Sequence, residues 1–335
     1  MLTMSSHSSG ADLTVAESAR AELATILARE VAAPLPPGAR AGADEIRARH
    51  GSSVVAIIFY GSCLRAFERG ESDDDGVYDF YVLVNRYAEI YRSSAMRIAN
   101  AMLAPNVFSL RDPAAPSGVR AKYGVISISQ FSRALSAASF DSYFWARLSQ
   151  PARLAYVMDG ATRGRVIEAL ASAVVATVSS TLPLMGEPFQ AEDVWARAFQ
   201  QTYGAELRAE PAQRARELCD WYRERYRTIT PLAIMASGMA LEADASSARY
   251  RVPISSAKRR RARLVWVLRR LTGKTLTALR VAKAAITFEG GLDYLLWKIA
   301  RHSGKRVIPT PWQRRHPMLA GPLILWRLYR LDAYR

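Results

Sequence analysis

Two short apolar runs separated by a polar stretch constrain this chain more than any other feature. The first, Val54–Tyr60, ends at Gly61 and Ser62. The second, Tyr78–Val84, carries a single acid, Asp79, between aromatic residues. Both runs are rich in β-branched and aromatic residues and are bounded by Gly, Ser and Asp, which predicts buried strands joined by a polar connection. The pattern therefore predicts a Gly-Ser turn on one strand and a carboxylate on its neighbour.

This arrangement resembles the active-site frame of the nucleotidyltransferase superfamily. In such a frame Gly61 lets the backbone approach a triphosphate, and Ser62 offers a hydroxyl and an N–H to its oxygens. Asp79 would hold Mg²⁺, which neutralises charge on the departing pyrophosphate. The superfamily usually has a second acid two residues later, where this chain has Tyr81. Because short motifs often match by chance, a simple turn and a strand-end Asp remain the alternative.

The positive charge of the chain is concentrated at one end. Of the net charge of +16, the segment from Arg249 onwards contributes 21 Lys and Arg against 3 Asp and Glu, whereas the first 248 residues hold 25 and 27. This asymmetry predicts an anionic partner for the C-terminal quarter. The two cysteines, Cys63 and Cys219, make no disulfide framework, which is typical of a reducing compartment. The N-terminus has no secretion-signal pattern, so we expect no export.

The periodicity of the chain predicts helices and strands, and the resemblance to nucleotidyltransferases implies an α+β fold in which the strands form a mixed β-sheet. Four segments are expected: an N-terminal helical segment (1–50), a core that the resemblance makes of nucleotidyltransferase type (51–160), a helical second domain (161–250) and a basic amphipathic region (251–335). Further strands are predicted at Asn106–Leu110 and within Val119–Ser129. The uncharged run Ala169–Met185 is short and contains Ser and Thr, which favours a core helix over a membrane span. We therefore expect no transmembrane span.

Four motifs in order carry a more specific resemblance. They are FYGSCLR, YDFYVLV, AKYGVISIS and the run Trp145–Pro151, and together they cover roughly Val54–Pro151. In this order they resemble the mitochondrial phosphatidate cytidylyltransferases, the translocator assembly and maintenance family. The resemblance implies a Mg²⁺-dependent enzyme that makes CDP-diacylglycerol and pyrophosphate from CTP and phosphatidic acid, on the route to cardiolipin. A single Asp followed by Phe is a trait of that family, so Tyr81 does not count against activity. The chain departs from the family at Cys63, Trp145-Ala146 and Gln150.

The resemblance also implies roles for residues beyond the Gly-Ser turn. Lys122 would meet the phosphates, Tyr123 would bind the nucleotide, and Arg147 would contact nucleotide or lipid phosphate. Glu206, in a segment that resembles the family, is the predicted second catalytic carboxylate and joins Asp79 as a metal ligand. The alternatives are a solvated strand-edge Lys and an exposed Glu–Arg pair at a helix end. The three consecutive acids Asp73–Asp75 offer further metal ligands, although such turns are usually solvated loops.

The basic stretch Ser255–Lys283 has the pattern of an amphipathic helix. Leu264, Val267, Leu268 and Leu271 share one side, and the other side is basic. Such a helix can lie in the headgroup layer of an anionic bilayer, with about 1 kcal/mol from each basic residue near the surface. The predicted membrane-binding residues are Arg259, Arg263, Trp266, Arg269 and Arg270. RNA binding and a helix that merely covers the core are the alternatives, since any polyanion rewards a basic run.

Together these observations predict a peripheral enzyme on the cytoplasmic face of a membrane. Its expected partners are CTP, phosphatidic acid and an anionic membrane surface, with no specific nucleic acid. Two other functions are open: a nucleotidyltransferase that acts on RNA or a small molecule, and a catalytically inactive membrane-binding protein. The second is motivated by Tyr81 at the position of the usual second acid.

Overall fold

A computed structural model of the chain describes residues 6–71, 76–110, 118–206, 212–244, 249–287 and 309–315. It has an α+β fold, as predicted. The strands are β1 (Val54–Tyr60), β2 (Tyr78–Val84), β3 (Asn106–Leu110), β4 (Ala121–Ser127), β5 (Ala152–Val157), β6 (Glu242–Asp244) and β7 (Arg249–Arg251). The helices are α1 (Ser6–Ala32), α2 (Pro37–His50), α3 (Ser62–Glu68), α4 (Tyr87–Ile90), α5 (Ser94–Met102), α6 (Ile128–Leu135), α7 (Trp145–Leu148), α8 (Gly160–Thr181), α9 (Ala191–Gly204), α10 (Ala212–Trp221), α11 (Arg223–Ala236), α12 (Ser256–Thr287) and α13 (Pro311–Arg315).

Five strands form one mixed sheet in the order β3-β4-β2-β1-β5. Strand β1 is antiparallel to both of its neighbours, β2 and β5, and β3 is antiparallel to β4. Strands β2 and β4 are parallel. The two apolar runs from which the sequence argument starts are thus the two central neighbours β1 and β2, with the predicted bounds. Strands β6 and β7 form a separate small hairpin.

Each face of the large sheet packs against helices because side chains alternate along a strand. Along β2, Phe80 and Val82 belong to a smaller core with α2 and α3. Tyr81 and Leu83 belong to a larger core on the opposite face. That larger core includes side chains from α1, α6, α8, α9, α11 and α12. All four predicted segments therefore contribute to one continuous hydrophobic core.

Helix α8 lies in the middle of this larger core. Its stretch Gly160–Leu184 is long and apolar enough to cross a membrane, and 67% of its most apolar window is buried inside the structure. Length and composition are shared by buried core helices and membrane spans. The absence of a span thus stays a prediction.

Three details differ from the sequence-based expectation. Apolar spacing in the sequence predicts one helix from Gln130 to Gln150-Pro151, but this region holds two separate helices. Helix α6 is capped by Ser127, whose side chain accepts from the N–H of Gln130, and ends at Leu135, and α7 covers Trp145–Leu148. The spacing likewise predicts a helix over Arg86–Leu103, which is broken between Ile90 and Ser94, where Ser93 caps α5. Strand β5 was not predicted, because its short sequence ARLAYV suits either a helix or an edge strand.

Candidate functional site

Three polar side chains form a row across adjacent strands at one end of the sheet. Tyr60 ends β1 and pairs with Asp79 of β2, and Asp79 pairs with Lys122 of the parallel strand β4. Residues in such register lie side by side. Two motifs that are more than forty positions apart in the sequence are thereby brought into contact.

Gly61 follows this row directly, and two structural constraints require glycine at this position. Its φ angle is 98°, in the left-handed region that side chains disfavour. A Cβ atom at this position would lie 3.1 Å from Oδ2 of Asp79. Any side chain would therefore strain the turn and press on the carboxylate. Ser62 begins α3 and is exposed.

A cavity of about 320 Å³ opens at this turn. Its walls come from β1, α3, β2, α7, α9 and α10, and its lining residues are Tyr60, Gly61, Ser62, Arg65, Arg69, Asp79, Arg147, Gln150, Tyr203, Glu217 and Leu218. A smaller cavity of about 60 Å³ shares Tyr60, Asp79 and Arg147 with it and adds Lys122 and Tyr143. The Gly-Ser turn, Asp79, Lys122 and Arg147, all predicted from the sequence, thus border one continuous region.

Asp79 and Lys122 form an ion pair in this region. The Nζ atom of Lys122 lies 2.9 Å from Oδ1 of Asp79, and the two side chains are 35% and 23% exposed, respectively. Because both groups remain partly open to solvent, their attraction is partly screened and worth little for stability. The pair therefore sets a carboxylate and an ammonium group side by side at the cavity, where each remains accessible to a ligand.

Arg147 and Glu206 form a more deeply buried pair beside the cavity. The two guanidinium nitrogens of Arg147 donate to the two carboxylate oxygens of Glu206 at 2.7 and 2.6 Å. Burial opposes the charge on Arg147, but the facing carboxylate and Tyr143 outweigh it, and the pKa of Arg147 is raised above its usual value. Nη1 of Arg147 also donates to the carbonyl oxygen of Tyr143 at 2.6 Å. Both partners are thus held in fixed positions.

Tyr81 occupies the position of the usual second acid and stacks on Tyr60. The ring centroids are 4.9 Å apart and the planes differ by 10°. Burial, followed by neighbouring charges that include Asp79, raises the pKa of Tyr60, and burial likewise raises that of Tyr81. Both phenols are therefore neutral at ordinary pH, and neither replaces a carboxylate as a metal ligand.

Tyr123 does not share the cavity face. It lies one position after Lys122, so its side chain points to the opposite face of the sheet, where it is 1% exposed. There its hydroxyl is 2.9 Å from Nε2 of His50, and its ring stacks on Phe108. The expected contact between this side chain and a nucleotide at Asp79 is wrong for this geometry, because the sheet lies between them.

Arg65 and Arg69 line the cavity and were not singled out from the sequence. Arg65 follows Ser62 by three positions in α3, and Arg69 caps the C-terminal end of that helix seven positions after Ser62, so all three lie on the same side of it. The Arg65 side chain makes no hydrogen bond or ion pair with any other described residue, while Nη1 of Arg69 lies 3.7 Å from Oε1 of Glu71. The spacing in SCLRAFER would have revealed these arginines once the turn was read as the start of a helix.

The donor set fits a magnesium ion only in part. Mg²⁺ is commonly held by one or two carboxylates with water and substrate phosphates completing the octahedron. Asp79 fits this role, since its carboxylate is partly exposed at the cavity. Glu206 does not fit, because Arg147 occupies both of its oxygens. No group of three or more His, Cys, Asp or Glu side chains clusters within the described ranges. Asp73–Asp75 lie outside the described residues.

Helix α12 is oriented differently from the sequence-based expectation. Trp266 is 2% exposed, and its indole N–H donates to the carbonyl oxygen of Ser180 at 2.9 Å. Arg269 is 8% exposed and donates to the carbonyl oxygen of Phe140. Arg259 pairs with Glu187 at 2.6 Å. These three predicted membrane-binding residues instead attach α12 to the body of the protein, because their long side chains fill the groove beneath the helix.

The outer face of α12 is apolar. Leu264, Val267, Leu268 and Leu271 are between 52% and 67% exposed, and Leu279 is 52% exposed. Of the predicted basic contacts, Arg263 and Arg270 remain exposed beside this face. We call the surface formed by these four residues, Leu279 and the two arginines the outer face of α12. Such a contiguous apolar strip with a basic border is unusual on a solvated helix and is typical of an interaction surface.

No protein-family model matches this chain, and no curated protein sequence matches it at a significant level. The function of this protein is therefore inferred from its own residues and from the geometry of the site.

Proposed function

We propose that this protein is a CTP:phosphatidate cytidylyltransferase that works at a membrane surface. The observation that carries the proposal is that the positive-φ Gly61, Ser62, Asp79 and Lys122 lie around two cavities that share Asp79. A close backbone approach, a carboxylate and several cations at one strand end are what transfer from a nucleoside triphosphate requires. The resemblance of the four sequence motifs to phosphatidate cytidylyltransferases supports the choice of CTP and phosphatidate.

In the proposed reaction a phosphate oxygen of phosphatidate attacks the α-phosphorus of CTP. The new P–O bond forms as the bond from that phosphorus to the pyrophosphate oxygen breaks, and pyrophosphate carries the electron pair away. Gly61 allows the triphosphate to lie against the backbone, and Ser62 donates its hydroxyl and N–H to the phosphate oxygens. Lys122, Arg65 and Arg69 offset the negative charge that accumulates on the leaving group.

Asp79 is the proposed protein ligand of Mg²⁺. The ion, when bound, supplies positive charge between the carboxylate and the phosphates. Arg147 has a positioning role in this proposal rather than a free phosphate-binding one, because Glu206 and the Tyr143 carbonyl already accept from it. Glu206 is thus proposed as the partner that fixes Arg147, and no longer as a metal ligand.

The outer face of α12 supports the membrane part of the proposal. Phosphatidate is insoluble, so an enzyme that uses it benefits from a surface that enters the headgroup layer. Exposed Leu264, Leu268 and Leu271 would enter the apolar boundary, while Arg263 would meet lipid phosphates. The protein is thereby proposed as a peripheral protein on the cytoplasmic face of a membrane.

One observation favours a second candidate, a catalytically inactive membrane-binding protein. Tyr81 fills the position of the usual second acid, and Glu206 is engaged by Arg147. Two carboxylates line the cavity in the described structure, Asp79 and Glu217, and only Asp79 lies in the row of strand residues. The strands therefore supply fewer metal ligands than in most nucleotidyltransferases. This candidate retains membrane binding through α12 and predicts no turnover of CTP.

The deciding experiment measures pyrophosphate release from CTP and Mg²⁺, with and without vesicles that contain phosphatidic acid. The variants are wild type, Asp79→Ala and the matched control Asp44→Ala, which removes an exposed Asp from α2. Release that requires the lipid and Asp79, but not Asp44, supports the proposal. Release without lipid favours an RNA or small-molecule acceptor. Vesicle binding without release in any variant favours the inactive protein.

A further inference from the structure

The underside of α12 reaches the wall of the candidate site. Arg280, on the described part of this helix, forms an ion pair with Asp141 and donates from Nε to the carbonyl oxygen of Ala104 at 3.0 Å. Its guanidinium carbon lies 4.1 Å from the ring centroid of Tyr143. Ala104 immediately precedes Pro105, which lines the smaller cavity together with Tyr143. One side chain therefore touches two separate segments of that wall.

Tyr143 connects Arg280 to Arg147. The guanidinium carbon of Arg147 lies 3.9 Å from the same ring centroid, so two cations contact one tyrosine. Asp141 closes the arrangement, because its Oδ1 accepts from the N–H of Tyr143 at 3.1 Å while its other oxygen accepts from Arg280. Each contact between a guanidinium group and an aromatic ring is stronger when partly desolvated, and the Arg280 side chain is 11% exposed.

A second contact fixes the same helix near Glu206. Gly273 packs so closely that a Cβ atom there would lie 2.5 Å from the carbonyl oxygen of Ala205. Arg270 also donates to the side chain of Gln201 in α9 at 2.8 Å. Both partners of the Arg147–Glu206 pair thus lie next to residues that α12 holds in place.

We propose that Arg280 is a positioning residue for the candidate site. It holds Tyr143 and, through that ring, Arg147, so that the helix whose outer face is exposed also supports the cavity wall. The inference deepens the proposed function and rests on it for the kinetic readout. The covalent chemistry does not involve Arg280, which does not line either of the two cavities.

The test compares Arg280→Ala and Arg280→Lys with Arg259→Ala, which loosens the other end of the same helix at Glu187. Kinetics use a soluble short-chain phosphatidate and no vesicles, so that membrane binding does not enter. We expect Arg280→Ala to raise the KM for CTP roughly 10- to 100-fold with a smaller change in kcat, because displacement of Tyr143 and Arg147 from the cavity wall weakens substrate positioning. Arg280→Lys should recover part of this, since it retains the ion pair but not the planar stacking. Arg259→Ala should resemble wild type.

Equal KM values for Arg280→Ala and Arg259→Ala would overturn the proposal. Amide hydrogen exchange separates this failure from failure of the proposed reaction, because it requires no turnover. Faster exchange over residues 138–148 in Arg280→Ala, but not in Arg259→Ala, supports positioning even if wild type does not use CTP. The same exchange in both variants contradicts it.

Discussion

Two cavities in the described part of the molecule differ in size and in chemistry. The larger, about 910 Å³, lies among the loop before α9 and helices α9 to α11. The other, which we call the candidate-site cavity, has a volume of about 320 Å³ and lies at the ends of β1 and β2. In the larger one, Arg223 and Arg227 both pair with Glu192, and burial raises the pKa of the Cys219 thiol to about 12. That thiol is protonated at neutral pH and is therefore a poor nucleophile.

Both cavities are lined by carboxylates and arginines, and Asp220 in the larger one is 64% exposed. The candidate-site cavity differs in its backbone, because Gly61 lies in the left-handed region and a Cβ atom there would lie 3.1 Å from Oδ2 of Asp79. Neither volume nor charge therefore identifies the candidate site. Close backbone access beside a carboxylate does so, because a bound triphosphate lies against backbone N–H groups.

The largest expected effect on activity comes from Asp79→Asn in the candidate-site cavity. We expect loss of CTP-dependent activity by about 10³-fold, because the change removes the charge that would hold the metal, a contribution of several kcal/mol. The measurement is pyrophosphate release at saturating CTP and lipid. Circular dichroism controls for folding, which the partly exposed Asp79–Lys122 pair should affect little. Activity close to wild type would show that Asp79 is not needed for the reaction and would contradict the choice of this cavity as the active site.

The next effect comes from Gly61→Ala. We expect activity to fall by about 10²-fold, because the new Cβ meets Oδ2 of Asp79 and the backbone must leave φ 98°. Gly70→Ala is the matched control, since Gly70 also has positive φ but its Cβ would meet no atom within 4 Å. Similar losses of activity in the two variants would show that backbone strain, and not the approach to Asp79, is responsible.

Arg65→Gln tests whether the candidate-site cavity binds the phosphates of CTP. We expect the KM for CTP to rise about 10-fold, as for the loss of one charge-assisted contact to phosphate, with kcat less affected. The measurement is the KM for CTP together with calorimetric binding of inorganic pyrophosphate. Arg163→Gln, on α8 and outside the lining of both cavities, is the control. Unchanged pyrophosphate binding in Arg65→Gln would contradict a phosphate contact.

The outer face of α12 lies outside both cavities and offers a separate test. Leu268→Asp should weaken binding to vesicles that contain phosphatidic acid by about 10-fold or more, since burial of one leucine contributes about 1.5–3 kcal/mol. Thermal stability should change little, because Leu268 is 52% exposed. Leu13→Asp, at a 63% exposed leucine of α1, is the matched control in a co-sedimentation assay. Equal binding by the two variants would argue against membrane contact through α12.

The smallest effect is expected in the larger cavity. Arg227→Gln removes a charge from its wall, and we expect kcat and KM for CTP within about twofold of wild type, since its exposed ion pairs contribute little. A large loss of activity would indicate that the active site lies in the larger cavity and would contradict the assignment to the candidate-site cavity.

Local patterns predicted much of the fold. The bounds of β1, β2 and β3 follow from short runs of β-branched and aromatic residues that end at Gly61, Asn85 and Arg111, and the long helices follow from apolar spacing. Strand β5 escaped because six residues of mixed propensity do not distinguish a helix from a strand. The break between α6 and α7 escaped because serines bind the backbone locally and stop a helix that apolar spacing alone would continue.

The candidate site likewise has features that local sequence predicts and features that depend on tertiary contacts. The local sequence was enough to place a glycine, a serine and an acid at the ends of two strands, because these residue types commonly end strands and form turns. Which side chains meet depends on contacts between residues that are distant in the sequence. Strand register placed Lys122 beside Asp79 and Tyr123 on the far face, and helix packing gave both oxygens of Glu206 to Arg147.

The same holds for α12. Its sequence determined that one side is apolar and the other basic, since helical spacing fixes which residues share a face. It did not determine which side faces the protein. Trp266, Arg269 and Arg280 pack against the rest of the protein, where they donate to the backbone oxygens of Ser180 in α8, Phe140 and Ala104, respectively. This orientation leaves the leucines outside. Such a choice depends on partners distant in sequence, which no local pattern encodes.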